Sequence, residues 1–407
     1  MVTLLIIFQL NSAIKDEDVI NILMPAPFAE SSSSIVDRFN EENKGSYKIK
    51  VTKGPLETEA VSDLAISSLL LGNSPYDIIL IDVTWLPKYV AAGWLTDMSR
   101  FISNEEWNEL EQGAKLGNQI NGKIYRFPFV ADVGLLYWRQ DLMESPPETP
   151  QELIDKSIEL TKSGEVQYGY LWQGKQYEGL SCVFQEAVTA FGGEWIDKSG
   201  NIQLTSSETK LAANWLQQLI SSGASPSAVT NFAETETLQL FESGNAAFMR
   251  NWPYAYSELQ KETSKVKGKV GITTMVASKE GRQAATLGSW GFSIVDSSDH
   301  KAKAYEVIKY LSSLESQKSL FLSNSYTPTK KLLFKDGFFN YKTILPEIKL
   351  ALDNVTQRPN SPSYAQLSGV LQKELSAILT NQKSIEDALN SAKDKTEYIL
   401  ISSGEIK

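Results

Sequence analysis

The chain has 407 residues, of which 42% are hydrophobic and 22% are charged, so it can bury the cores of two or three domains. Its net charge of -10 argues against a nucleic-acid partner, because binding to phosphates needs clustered Lys and Arg. Cys182 and His300 are the only cysteine and histidine, which excludes a disulfide within the chain and argues against a zinc site, and we expect no metal and no other cofactor.

Residues 1–18 begin with a short apolar run, Met1 to Phe8, which is followed by small and polar residues up to Ala13. The run is too short to span a bilayer, but it is typical of the apolar part of a signal peptide. A buried strand is the alternative, because the usual positive charges before the run are missing. We therefore expect 1–18 to be signal-like or disordered and the protein to be exported, to the periplasm or another extracytoplasmic space.

From residue 19 onward, apolar strands alternate with amphipathic helices. The pattern predicts strands at 19–24, 47–51 and 76–81, with helices at 31–42 and 57–71 between them. This βαβαβ order predicts an α/β fold with an open, doubly wound parallel sheet.

Two acidic residues, Glu30 and Asp82, come shortly after strands of this predicted sheet. Ligands of doubly wound sheets bind at the carboxyl ends of the strands, where the loops meet. The two carboxylates are therefore candidate acceptors for ligand hydroxyls, with helix capping or solvation of the loops as the alternative role.

The second half of the chain continues with strands and a longer helical region, and it contains no flexible linker. The predicted elements are a strand at 134–138, a capped helix start at Thr149, helices at 184–190, 210–219 and 236–241, a strand at 285–295, and helices at 301–311 and 370–380. We therefore expect two halves that are joined by more than one segment, with a cleft between them.

Three tryptophans, Trp85, Trp252 and Trp290, lie among turn-forming residues and close to Asp, Asn or Arg. A flat ring beside hydrogen-bonding groups suits a ligand with an apolar face and a polar rim, as a sugar has. The alternative is that each ring covers the end of a core element.

Several segments, in this order, resemble the carbohydrate-binding solute-binding proteins of ABC importers, and in particular the trehalose/maltose-binding proteins. The segments are YDIILIDVTWL (76–86), AGWL (92–95), GKIY (122–125), GLLYWRQD (134–141), WQGKQYEGL (172–180), GNAAF (244–248), RNWPYA (250–255), ATLGSW (285–290) and RPNSPSYAQLS (358–368).

The resemblance implies a two-lobed periplasmic-binding-protein fold. Each lobe is expected to be an open doubly wound sheet with flanking helices, and the ligand to lie in the cleft between the lobes. The implied lobes are 19–127 plus 292–335 and 128–291 plus 336–407. A protein of this kind is a monomer that binds a sugar and passes it to a membrane permease, and it is not an enzyme.

The resemblance also implies the polar contacts to the sugar. Glu30, Asp82 and Asp132 correspond to the carboxylates that accept hydrogen bonds from sugar hydroxyls, and Arg358 to a cationic donor. Charge-assisted hydrogen bonds of this kind are stronger than neutral ones. A role of Asp132 in the segment between the lobes, and a surface position for Arg358, are the alternatives.

For the stacking platform the resemblance implies Trp252, Tyr254 and Trp290, with Gly288 allowing the backbone to approach the ligand. Ser289 stands where a glycine is expected and would slightly narrow this region.

Two departures from the family pattern bear on the ligand. The stretch Ala60-Val-Ser62 stands where the family has an arginine in a helix of the first lobe, and Val130 stands in place of a tyrosine before the Asp132 position. Part of the donor set for a second sugar ring is therefore missing. Besides trehalose and maltose, this admits a smaller or differently linked glucoside, such as glucosylglycerol or sucrose.

Three alternatives remain open. A glycosidase would use two of the carboxylates as acid and base or nucleophile, but no catalytic signature accompanies them. A calcium site at 197–201 lacks the spacing of an EF-hand, and a turn between strands is favoured there. A binder of amino acids or peptides would need a clamp for ammonium and carboxylate groups, which is not evident.

Overall fold

The computed structural model describes residues 18–335, 337–339 and 344–406. The predictions for 1–17 lie outside the described residues. The strands are β1 Asp18–Met24, β2 Tyr47–Lys53, β3 Ile78–Asp82, β4 Gln119–Ile120, β5 Lys123–Ile124, β6 Phe127–Val133, β7 Leu135–Arg139, β8 Tyr168–Leu171, β9 Ala246–Asn251, β10 Val270–Thr273, β11 Ala285–Ile294 and β12 Val355–Thr356.

Helices connect and cover these strands. They are α1 Ala26–Ser31, α2 Ser33–Glu42, α3 Thr58–Leu70, α4 Leu86–Ala91, α5 Asn104–Asn108, α6 Gln112–Lys115, α7 Pro150–Lys162, α8 Glu178–Ala190, α9 Ser207–Ser221, α10 Glu234–Glu242, α11 Tyr254–Leu259, α12 Lys301–Leu311, α13 Leu314–Asn324, α14 Leu345–Asp353, α15 Tyr364–Leu379 and α16 Ile385–Ser402. Within the described ranges, none of the helices is both long enough and apolar enough to cross a bilayer.

The first sheet has six strands, in the order β12-β11-β3-β1-β2, and β6 also pairs with β11. β1 is parallel to both β2 and β3, which confirms the predicted βαβαβ unit, whereas β11 runs antiparallel to β3 and β6. The single helix predicted from Ser31 is wrong at its start. The chain is already helical from Ala26 because Pro27 lies in the first turn, where its missing N–H costs no hydrogen bond.

The second sheet has four strands, in the order β10-β7-β9-β8, and it is mixed, since only β8 and β9 are parallel. The predicted helix start at Thr149 is confirmed: Thr149 and Glu152 form a capping box at the start of α7. α8 begins six residues before the prediction, at Glu178. Gly179 and Ser181 are poor helix formers, and burial of nearly the whole helix outweighs that preference.

The apolar core consists of several clusters, one of which joins β6 and β11 of the first sheet to β7, β9 and β10 of the second. The larger core cluster gathers the second sheet and helices α8, α9, α15 and α16, and another fills the space between the first sheet and α2 and α12. The α/β, two-lobed fold predicted from the sequence is thereby confirmed. Cys182 lies in the larger region as a buried thiol, and burial raises its pKa to about 12.

The chain passes from the first sheet to the second at Gly134, between β6 and β7. A Cβ atom there would lie 2.0 Å from Glu186 Oε1, so the crossing has room only for glycine. β6 pairs with β11 from Phe127 opposite Phe292 to Val133 opposite Leu287. This ladder therefore crosses the lobe boundaries that the sequence predicted at 127/128 and 291/292. That division remains a prediction.

Candidate functional site

Strand β11 carries the centre of the candidate site. In its register, Trp290 faces Asp82 on β3 and Gly288 faces Asp132 on β6. Side chains alternate between the two faces of a strand, so Gly288 and Trp290 share one face while Ser289 is on the other. The fold therefore brings together residues that are more than 150 positions apart in the sequence.

Asp82 is the last residue of β3 and caps the turn that follows it. Its Oδ1 accepts hydrogen bonds from Thr84 N at 2.9 Å and Thr84 Oγ1 at 2.7 Å. Among the described residues, no donor is bonded to Oδ2. Asp82 also lines a cavity of about 250 Å³ between α3 and α15. Oδ1 thus stabilises the turn after β3, and Oδ2 is available as an acceptor for a ligand.

Asp132 is buried and divides its oxygens in the same way. Its Oδ1 accepts a hydrogen bond from Thr327 N at 2.9 Å. The phenol rings of Tyr137, Tyr254 and Tyr326 lie within the range of its charge, whereas no Lys or Arg in the part of the chain that the structure describes pairs with it. Burial raises the pKa of Asp132 to about 7, although the bond from Thr327 opposes this.

Trp290 is half-buried within an aromatic cluster. Trp85 meets it edge to face with ring centroids 5.3 Å apart, and Phe28 lies at 5.3 Å with a tilted ring. Both contacts lie in the range at which aromatic rings attract one another. The ring of Trp290 is therefore fixed while part of its surface stays accessible.

Trp252 is held from three directions. Its Nε1 donates to Glu234 Oε1 at 3.1 Å, and the guanidinium carbon of Arg250 lies 3.9 Å from the ring centroid. A Cβ atom at position 288 would come within 2.7 Å of the ring, so Gly288 is required for this placement. Glu234 is itself fixed by Tyr177, whose hydroxyl donates to it at 2.7 Å.

Arg358 contacts residues of three elements: α8, β11 and β3. Its Nη1 donates to Glu178 Oε1 at 2.6 Å, its Nη2 donates to Leu287 O at 3.1 Å, and Nη2 lies 3.6 Å from Asp82 Oδ1. The side chain is 3% exposed, so the alternative of a surface arginine is wrong. Burial raises the pKa of Glu178, against the opposing effect of Arg358 and of hydrogen bonds from Ser368 and Tyr364.

Ser289 is turned away from this group. Its hydroxyl accepts a hydrogen bond from Arg126 Nη2 at 3.0 Å, and its carbonyl accepts from the same nitrogen. Arg126 is fully buried and also donates to Asn118 and to Ile81 O. The Ser289 side chain therefore supports β11 from behind and does not narrow the face that Gly288 and Trp290 share.

Glu30 and Tyr254 lie at the edges of the group. Glu30 is exposed in α1 and pairs with Lys53. Burial raises the pKa of Tyr326 to about 12, and the nearby charges of Asp132 and Glu30 contribute to this rise. Tyr254 begins α11 and packs, half-buried, against the core of the first sheet. The charge of Asp132 thus connects Tyr254 and, through Tyr326, Glu30 to the group around β11. That the predicted residues form one binding site remains a prediction.

Several important neighbours were not found from the sequence: Phe28, Glu178, Glu234, Arg250 and Arg126. Two of these residues could have been found, because Glu178 and Arg250 lie in segments that resemble the family, WQGKQYEGL (172–180) and RNWPYA (250–255). The other three lie in none of these segments. Among the described residues, no group of three or more His, Cys, Asp or Glu is arranged to hold a metal ion.

Comparisons with known proteins agree with this geometry. Residues 25–318 match the family described as "Bacterial extracellular solute-binding protein". A probable ABC transporter-binding protein of Deinococcus radiodurans is 32% identical over 84% of both chains, and a mannitol-binding protein of Pseudomonas aeruginosa is 24% identical over 84% of both. The maltose-bound MalE3 of T. maritima superposes with a TM-score of 0.87 and 29% identity, over 94% of this chain and all of that one.

Proposed function

Since the chain belongs to the bacterial extracellular solute-binding proteins, we propose that it captures a glucoside between its two lobes and presents it to the permease of an ABC importer. In this role it acts outside the cytoplasm as a monomer, and it releases the sugar chemically unchanged. Closure follows from a ligand that contacts both lobes at once, because such a ligand binds the closed form better than the open one.

One observation carries the proposal. The half-buried rings of Trp252 and Trp290 lie beside two carboxylates, Asp82 and Asp132, each of which has an oxygen without a protein donor among the described residues. A sugar offers apolar ring faces to the indoles and hydroxyl donors to the carboxylates. Arg358 adds a cation at the same place.

The proposed ligands are glucosides of the maltose, trehalose, sucrose or glucosylglycerol type. Ser62 lines the cavity beside Asp82, and its short side chain supports a small or differently linked second group at that end. The maltose-bound relative favours a glucoside, whereas the mannitol-binding relative supports an open-chain polyol as the second candidate.

Calorimetric titration with these four glucosides and with mannitol tests the proposal. We expect Trp252→Ala to weaken binding of the preferred sugar about a hundredfold, because stacking and burial of an indole are lost together. Lys267→Ala should leave the affinity within about twofold, since Lys267 is 45% exposed and pairs with Glu262. Equal losses from the two changes would contradict the assignment of the cleft.

A glycosidase is distinguished by its products. Incubation with maltose, trehalose and an aryl glucoside should give no release of glucose or aglycone above a blank. Turnover that disappears in Asp82→Asn or Asp132→Asn would show that the protein hydrolyses the sugar and does not merely bind it. Heat release on titration with amino acids alone would indicate that the ligand is not a sugar.

A further inference from the structure

Glu178, at the start of α8, is a carboxylate with three hydrogen bonds next to Arg358. It accepts hydrogen bonds from Arg358 Nη1 at 2.6 Å, from Ser368 Oγ at 2.6 Å and from the Tyr364 hydroxyl. Ser368 is in turn held by Ser181 at 2.8 Å and by Gln372 at 2.9 Å. Glu178 is thus built into the second lobe with a fixed orientation.

Arg358 is shared unequally between two carboxylates. Glu178 and Asp82 are the acidic groups within 4 Å of it in the described part of the chain, at 2.6 Å and 3.6 Å. The shorter distance is a charge-assisted hydrogen bond, and the longer one is outside hydrogen-bonding range. Glu178 therefore holds the guanidinium, and Asp82 experiences it as a nearby charge only.

One nitrogen of the guanidinium group is not used in a hydrogen bond, and the second carboxylate is close by. Arg358 Nε is buried and has no hydrogen-bond partner among the described residues. A movement of less than about 1 Å would bring Nη2 into hydrogen-bonding distance of Asp82 Oδ1. Such a pair would fix the orientation of Asp82, offset its charge and couple the end of β3 to the segment before α15.

We infer that Glu178 is a positioning residue for the ligand acceptor Asp82: by binding Arg358, it keeps the arginine from closing onto Asp82. This inference rests on the proposed function for the role of Asp82 in binding. The competition between the two carboxylates does not depend on it, because it exists in the ligand-free protein.

A ligand-free crystal structure of Glu178→Gln tests the competition directly. The amide keeps the size of the side chain and one acceptor oxygen for Arg358 and Tyr364, while its NH2 group faces Ser368 as a donor. The charge is removed, so Asp82 becomes the stronger partner for Arg358. We expect the distance from Nη2 to Asp82 Oδ1 to shorten from 3.6 Å into hydrogen-bonding range. An unchanged or longer distance would overturn the inference, whether or not any sugar binds.

A double-mutant cycle tests the consequence for binding of the sugar that the wild type prefers. We expect Glu178→Gln to weaken binding about tenfold, but by less than about twofold in an Asp82→Asn background, because the acceptor it protects is already lost. Equal losses in both backgrounds would mean that Glu178 does not act through Asp82. No loss in the wild-type background would equally overturn its positioning role.

Glu374→Gln is the matched control for both experiments. Glu374 is a buried glutamate of α15 that pairs with Lys383 and Lys395, each at 2.6 Å. Its loss should lower the melting temperature without moving Arg358 or changing the affinity for sugar. If the wild type binds no sugar at all, the proposed function fails, while the crystal structure still decides between the two positions of Arg358.

Discussion

Arg250 and Arg358 are both buried and both face carboxylates, but Arg250 pairs with one carboxylate and Arg358 lies between two. Arg250 donates from Nε and Nη2 to the two oxygens of Glu186, at 3.1 and 2.6 Å, and from Nη1 to Gln173 at 3.4 Å. Arg358 divides its attraction between Glu178 and Asp82, and its Nε has no partner in the described structure. Each guanidinium nitrogen of Arg250 thus has a partner, whereas one nitrogen of Arg358 has none among the described residues.

The difference separates a framework, the Arg250 pair that supports the fold, from the Arg358 cluster, which belongs to the candidate binding site. A bidentate pair in which each guanidinium nitrogen has a partner has a fixed arrangement, which suits the support of Trp252 and the crossing at Gly134. A guanidinium with two acceptors can respond to a third one, such as a ligand oxygen. Mutations at the two arginine clusters should therefore affect different properties.

The largest expected effect is on stability, at the Arg250 pair. Glu186→Gln leaves Arg250 as a buried charge without its counter-ion, and the free energy of unfolding should fall by about 3–5 kcal/mol in urea titrations. Glu315→Gln is the control, because it removes a surface partner of Arg38 that is 75% exposed. Its cost should stay below about 1 kcal/mol. Similar losses from the two changes would contradict the framework role.

At the Arg358 cluster, Asp82→Asn should reverse this balance. Arg358 keeps Glu178, so the free energy of unfolding should change by less than about 1 kcal/mol, whereas the affinity for the preferred sugar should fall about ten- to hundredfold. Calorimetric titration and urea unfolding of the same preparation measure both quantities. A variant that is destabilised yet binds normally would assign Asp82 to the framework.

The sequence predicted the framework of the fold better than its buried polar contacts. Strand and helix periodicity located β1 to β3, α7 and α12, because burial of one face leaves a regular pattern. The ion pair of Arg250 with Glu186 and the pair of Arg358 with Glu178 join positions that are 64 and 180 residues apart. No local pattern records such pairs, since they depend on how the elements pack.

The candidate site shows the same limit. Its ten residues were predicted from their positions after strands or from the resemblance to a known family, and neither shows which way a side chain points. Ser289 is an example: the alternation along β11 turns its side chain toward Arg126, and one residue of register decides this. The register of β11 is set by its pairing with β3 and β6, which the sequence of the strand alone does not determine.

Asp132 extends the comparison to a buried carboxylate without any arginine partner in the described structure. Its pKa of about 7 lies above the value of about 3.9 for an unfolded chain, so the folded protein binds the extra proton between these pH values. Stability should therefore fall as the pH rises, by at most about 1.4 kcal/mol from this group between pH 6 and 7, and level off above that.

Urea unfolding of the wild type and Asp132→Asn across pH 5 to 8 measures this slope. The variant should be less sensitive to pH, with its stability relative to the wild type greatest at pH 8. Since the ionised form is the stronger acceptor, sugar affinity of the wild type should also rise from pH 6 to pH 8. Parallel pH curves for the two proteins would show that Asp132 is not the group that titrates.

The smallest expected effect is at Ser289, behind the site. Ser289→Ala removes the hydroxyl that accepts from Arg126 at 3.0 Å, but leaves the backbone carbonyl, Asn118 and Ile81 as acceptors for the same guanidinium. The free energy of unfolding should fall by less than about 1 kcal/mol, and the affinity for sugar should stay within about twofold. Since Gly288 and Trp290 project from the opposite face of β11, a large loss of affinity with normal stability would place Ser289 in the cleft after all, and with it the narrowing that a serine in place of glycine would cause.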